Sequence, residues 1–257
     1  MKAKKLLVLV LALALAMCAL TACGSNDEPA DLSEQSLLIF SGAGLADPVQ
    51  EIADEFAAQT GLTPEIVFGP TGQLITQIQT TESGDLLIAG AVDELAAMKE
   101  DEITDQVEMV KHIPVVAVQK GNPKGVESVA DLGKEGMTVL FPDPETTPIG
   151  KIAMKAFEEN GIKDTIDVAA NTSTAPLAMT AMAEGNADAA ILWKENAAKN
   201  ENITVLDLPE MVKYIKVVPA VSLSYSTNEE ARVAFVEFMT SEEGMAIWAK
   251  YGYEAVE

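Results

Sequence analysis

The chain has 257 residues, with 40 acidic against 17 basic side chains and a formal charge of −23 at neutral pH. A nucleic acid or an anionic lipid surface would therefore be repelled. One histidine and two cysteines cannot build a histidine metal cluster or a disulfide framework, and Arg232 is the lone arginine; an anionic ligand is accordingly expected to be held mainly by local hydrogen-bond donors rather than by clustered cations.

In chain order, Lys2, Lys4 and Lys5 precede an apolar run from Leu6 to Leu20 that is shorter than the roughly 20 residues a spanning helix needs, and small residues follow. This is the grammar of a secretory signal. Leu20-Thr21-Ala22-Cys23 resembles the lipobox of bacterial lipoproteins. That resemblance implies cleavage before Cys23, lipid on Cys23, and an extracytoplasmic domain anchored to the membrane only through lipid. The alternative is an ordinary secretory signal with an incidental cysteine. Cys18 leaves with the leader, so no thiol pair remains. Residues 1–22 are thus read as the signal, and 23–35 as the lipidated cysteine with an acidic, aperiodic tether.

Ser36 to Phe40 has the length of a buried strand, followed by Ser41-Gly42-Ala43-Gly44 and a helix with Val49, Ile52, Ala53 and Phe56 on one face. Pro48 suits its first turn and Gly61 its end. The unit recurs as a strand over Thr63 to Phe68, the turn Gly69-Pro70-Thr71-Gly72, and a helix carrying Leu74, Ile75 and Ile78. Further strands are predicted over Asp85 to Ala89, Val115 to Val118, Met137 to Phe141, Ala189 to Trp193, Ile203 to Leu206 and Val217 to Leu223. Helices are predicted over Val92 to Lys99, Ile149 to Asn160, Thr174 to Glu184, Asn228 to Thr240 and Ser241 to Tyr251. This alternation argues for α/β architecture with mostly parallel sheets flanked by helices, and ligand beyond the carboxyl ends of the strands.

Four stretches carry a resemblance to the molybdate-binding proteins of ABC importers, within the two-lobed periplasmic-binding-protein superfamily. They are Phe40-Ser41-Gly42-Ala43-Gly44-Leu45, Phe68-Gly69-Pro70-Thr71-Gly72, Asp143 to Gly150, and Ala187 to Trp193. The resemblance implies a non-enzymatic solute-binding protein, a monomer of two hinged lobes, that passes molybdate or tungstate to an ABC permease and its ATPase. Lobe one is expected at 36–114 and 219–257, and lobe two at 115–218. The family's ligand positions fall on Gly44 with Ser41 nearby, on Thr71 and Gly72, on the Pro-x-Gly loop Pro148-Ile149-Gly150, where Ile149 gives a backbone N–H, with Thr147 just before it, on Ala175 at a helix start, and on Trp193. Where the family has Ser and Tyr, this chain has Gly44 and Trp193.

Turns at helix starts suit an oxyanion because unpaired backbone N–H groups and the positive dipole end face outward there. Hydrogen bonds to a charged group contribute roughly 1.5–3 kcal/mol each. Thr71 and Thr147 fit either ligand contact or helix capping, and Trp193 either a donor or a cleft wall. Asp85, Asp143 and Glu145 are the acids placed to accept a proton from hydrogenphosphate. His112 suits a surface or interlobe role, and Met179 and Met182 suit core packing. No Ser-His-Asp set, metal cluster or P-loop is present, and no cofactor is implied. Two other readings remain: the same fold with another small anion or an organic acid, and a surface lipoprotein that contacts proteins.

Overall fold

A computed structural model of the protein describes residues 32–145, 147–172, 175–197 and 200–256. The leader, Cys23 and the tether up to residue 31 lie outside the described residues.

The chain enters strand β1 (Leu38–Gly42), makes a 3-10 turn over Ala43–Leu45 and continues into helix α1 (Ala46–Thr60). Helix α1 forms because Val49, Ile52, Ala53 and Phe56 share a buried stripe, Pro48 stands in the first turn, and Gly61 closes it in the left-handed region at φ 76°. Strand β2 (Glu65–Gly69) and helix α2 (Thr71–Thr81) repeat the unit, and β3 (Leu86–Ile88) follows. Beyond β3, Val92–Ala97 is a 3-10 helix rather than an α-helix reaching Lys99. The Glu94 carboxylate explains the tighter turn, since it accepts the Ala91 N–H at 3.2 Å while the Glu94 N–H reaches Ala91 O at 3.1 Å.

Strands β4 (Ile103–His112) and β5 (Pro114–Gln119) are separated by Ile113 alone. The sequence pattern predicts no strand over β4, because exposed Asp105, Gln106 and Glu108 break the alternation that a half-buried strand shows. Next come β6 (Thr138–Pro142), α3 (Pro148–Glu159), β7 (Asp167–Thr172), α4 (Ala175–Ala183) and β8 (Ala189–Trp193). The short helix α5 (Lys194–Ala197), β9 (Ile203–Leu206), the short helix α6 (Pro209–Val212), β10 (Lys216–Leu223), α7 (Glu229–Thr240), α8 (Glu242–Lys250) and β11 (Glu254–Ala255) complete the order.

The strands form two sheets, a six-stranded one in the order β11-β4-β10-β3-β1-β2 and a five-stranded one in the order β7-β6-β8-β5-β9. Both are mixed, which corrects the expectation of mostly parallel pairing. β1 pairs parallel with β2 and β3, and β6 parallel with β7 and β8, while β4, β5 and β10 pair antiparallel with their neighbours. The antiparallel pairs arise where the chain leaves one sheet through β4 and β5 and returns through β10. Each sheet is buried on both faces. Phe56, Phe235 and Trp248 pack one face of the six-stranded sheet, and Leu74, Ile75 and Ile78 the other. Phe141 and Phe157 pack one face of the five-stranded sheet, and Ala178 and Met182 the other. Fully burying a large aliphatic or aromatic side chain contributes about 1.5–3 kcal/mol, so these four layers hold the strand ends that shape the site.

Candidate functional site

Between the sheets lies a cavity of about 650 Å³, walled by the loops that follow the carboxyl ends of β1, β2, β3, β6 and β8. From the six-stranded sheet, Gly42 to Leu45 and Gly69 to Gly72 line it. Helix α2 starts at Thr71, and the first bonds back to Pro70 O come from Gln73 at 2.9 Å and Leu74 at 3.1 Å. The Thr71 and Gly72 N–H groups therefore precede the intrahelical ladder, in the position where an anion is favoured. At Gly44 and Gly72 an added Cβ would meet nothing within 4 Å, so these turns open onto free space.

Gly90 and Glu94 follow β3 and join this wall. The Thr71 hydroxyl accepts from the Gly90 N–H at 3.4 Å and donates to Glu94 Oε2 at 2.8 Å. A Cβ on Gly90 would lie 2.9 Å from that oxygen, so glycine is what lets the carboxylate sit against the backbone.

The opposite wall is basic. Pro148, Lys151, Ile152 and Lys155 of α3 line it, with Lys213, Tyr214 and Lys216 from the segment returning to β10. Lysines thus gather in the cavity of a strongly acidic chain, which corrects the expectation that an anion meets no cluster of positive side chains. Lys151 and Lys155 are one helical turn apart on the exposed side of α3, and Lys213 and Lys216 reach the cavity through the return crossing. Lys213 pairs with Glu159, and Lys216 pairs with Asp93. Lys151 forms no ion pair among the described residues. The bond from Lys213, then that from Tyr214, holds the Glu159 carboxyl below its ordinary range. Burial first, and Glu159 second, push the Tyr214 phenol up.

At the base, the His112 ring stacks on Trp193 with centroids 3.7 Å apart, and His112 Nε2 lies 2.8 Å from Glu195 Oε1. Trp193 ends β8, is 8% exposed and lines the cavity with His112. The lone histidine thus sits where β4 hands over to β5.

Of the residues singled out in the sequence, Gly44, Thr71, Gly72 and Trp193 come together in this cavity. Ser41, Thr147 and Ile149 do not line it. Ser41 is fully buried within β1. The Thr147 side chain caps α3, accepting from the Gly150 N–H at 3.1 Å and donating to Asp143 O at 2.7 Å. The Ile149 side chain is 1% exposed and packs in the core beside Phe157, which leaves its backbone N–H as the group expected to serve a ligand. Helix α4 does begin at Ala175, but that residue's side chain and residues 173–174 lie outside the described residues. The acids expected to accept a proton stand elsewhere: Asp85 is held by Leu38 N–H at 2.8 Å and by the Ser226 hydroxyl at 2.7 Å, and Asp143 and Glu145 do not line the cavity. Glu94 occupies that position instead. Its only signal in the sequence is its place in the first turn after the third strand. No group of three or more His, Cys, Asp or Glu side chains suited to a metal ion occurs among the described residues.

The model of the family described as bacterial extracellular solute-binding proteins matches residues 37–254. A "Putative binding protein" of Haemophilus influenzae is 27% identical over 221 residues, which cover 84% of this chain and 90% of the relative. The molybdate-binding protein ModA of Rhodobacter capsulatus is 26% identical over 215 residues, covering 82% of this chain and 85% of its own. Among solved structures, the "substrate binding domain of putative molybdenum ABC transporter from Clostridium difficile" matches with a TM-score of 0.73 at 22% identity, covering 86% of this chain and 99% of that one.

Proposed function

This chain belongs to the bacterial extracellular solute-binding proteins, and from that premise we propose that it captures a small oxyanion, molybdate or tungstate, and hands it to the permease and ATPase of an ABC importer. One observation carries the reading: glycine turns and a helix start on one side, and lysines on the other, converge on a single cavity. Relatives named as molybdate-binding proteins, which this chain matches over most of their length, support the choice of ion. Backbone N–H groups near Gly44, Thr71 and Gly72 would hold the oxygens from one side, with Trp193 closing the base.

In this reading residues 36–114 with 219–257 act as one lobe and 115–218 as the other. Contacts from both exist together only in the closed form, so ligand shifts the population toward closure. Delivery requires no chemistry on the ligand. Cys23 carries lipid and tethers the protein outside the cell membrane, and a Cys23→Ala variant would then be released into the medium. A second reading, a small organic anion, draws on cavity size: about 650 Å³ far exceeds the space of a few waters, each taking about 30 Å³ of liquid.

The test is a thermal-shift and calorimetric titration of the purified protein with molybdate, tungstate, sulfate, phosphate and citrate. Ligand at about a hundred times its dissociation constant stabilises the folded state by about 2.7 kcal/mol, which molybdate or tungstate should reach at submillimolar concentration. Absence of a shift with every anion would remove the oxyanion reading, and a shift with citrate alone would replace it with the organic one.

A further inference from the structure

We infer that Glu94 makes this cavity choose oxyanions by their basicity, because the bound complex keeps one proton between the Glu94 carboxyl and the anion. The inference rests on the oxyanion reading above and deepens it to the ligand class. Glu94 Oε2 is occupied by the Thr71 hydroxyl and the Ala91 N–H, whereas Oε1 has no hydrogen bond among the described residues of a cavity that Glu94 lines. Glu94 also forms no ion pair among them. Because the Thr71 proton points at Glu94, this wall has one donor fewer and one acceptor more than an oxyanion site built from turns alone.

A doubly charged anion in contact with a free carboxylate is repelled, and one proton relieves the conflict. Hydrogenphosphate brings its own and donates it to Glu94. A fully ionised anion instead requires that the carboxylate take a proton from solvent and donate the resulting O–H to an anion oxygen. Atoms and charge balance in both routes. Sulfate, a very weak base, gains least from a shared proton, and molybdate gains more.

The groups facing Glu94 leave it as the site of uptake. Asp93 on its own segment is paired with Lys216 of β10. His112 of β4 lies 3.4 Å from Gly90 O through Nδ1 and is engaged by Glu195 of α5 through Nε2. Across the cavity stand the ammonium groups of Lys151 and Lys155 of α3 and of Lys213, and the bond to Glu159 holds the Lys213 ammonium above its ordinary range. The Tyr214 phenol beside Lys213 is pushed up by burial.

Calorimetry with sodium molybdate, sulfate and phosphate, in two buffers of different protonation enthalpy, counts the protons. At about pH 8, where phosphate is the monoprotonated dianion, the expected result is about one proton taken up per molybdate and none per phosphate. Molybdate affinity should then rise about tenfold for each unit that pH falls, by linkage. Glu94→Gln keeps the acceptor for Thr71 and adds an amide donor; it should abolish the uptake and improve sulfate relative to phosphate by roughly tenfold or more. Molybdate binding without proton uptake in the unaltered protein overturns the inference while leaving the oxyanion reading intact. So does uptake that persists in Glu94→Gln, which would place the proton on His112. If no anion binds the unaltered protein, the oxyanion reading itself falls. Where that variant does not fold, His112→Gln decides: uptake that persists there supports Glu94, and uptake that disappears overturns the inference.

Discussion

On the side of the six-stranded sheet, the cleft wall consists of backbone-rich turns, Gly42 to Leu45 and Gly69 to Gly72. The side of the five-stranded sheet carries Lys151, Lys155, Lys213 and Tyr214. Turns fixed at strand ends present directed donors whose positions are set by hydrogen-bonded backbone, so they discriminate by geometry. Lysine charges on flexible stems are compact and hydrated, so they attract anions with little demand on shape. Long-range attraction would matter for an anionic ligand because the chain as a whole is acidic and would repel it. In the proposed reading, capture and choice are therefore divided between the walls, with Glu94 adding the acceptor on the discriminating one.

The contrast breaks most completely at glycines that look alike in sequence. A Cβ on Gly150, in the first turn of α3, would meet Pro142 O at 2.2 Å and Asp143 O at 2.6 Å, both backbone atoms that cannot swing aside. Gly150→Ala should cost about 3 kcal/mol or more by urea denaturation, because overpacking against backbone displaces the helix that carries the basic wall. Gly72→Ala on the other wall, facing open space, should change stability by less than about 1 kcal/mol.

Next in size is the double variant Lys151→Ala with Lys155→Ala. Anion affinity should fall about tenfold at low salt, and the difference should shrink toward nothing near 1 M salt, where the screening length is about 3 Å. Stability should barely move, since both side chains are exposed. Thr147→Ala removes the cap of α3 and should cost about 1 kcal/mol of stability, with a smaller effect on binding because Thr147 does not line the cavity. The smallest effect sharpens the comparison: Gly44→Ser places a hydroxyl in space with no neighbour within 4 Å. It should tighten molybdate binding by roughly fivefold, near the 1 kcal/mol of an added hydrogen bond, with an unchanged melting temperature.

The repeated strand, turn and helix from Leu38 to Thr81 was legible because each signal is local: Val49, Ile52 and Phe56 at helical spacing, Pro48 at the start, and Gly61 at the end. Gly44, Thr71 and Gly72 belong to those same turns, and all three line the cavity. Thr147 and Ile149 sit in an equally recognisable helix start, yet the Thr147 side chain turns to cap it and the Ile149 side chain faces the core. A helix start marks where amides are exposed, and packing decides which way each side chain points. Strand β4 escaped notice for a related reason. Its order comes from pairing with β10 and β11, while its exposed polar residues hide the period.

By itself, the sequence determined the order of most of the longer elements, the α/β class, the turns that end the first two strands and the residues that begin their helices. These follow from interactions among residues a few positions apart, which any chain segment carries with it. Only the tertiary structure decided that Glu94 stands beside Thr71, that lysines 151 and 155 gather with 213 and 216 in one cavity, and that His112 stacks on Trp193. Those neighbours are distant in the chain and are brought together by two sheets joined through β4, β5 and β10, so no local pattern could encode the balance of charge and proton acceptors they create.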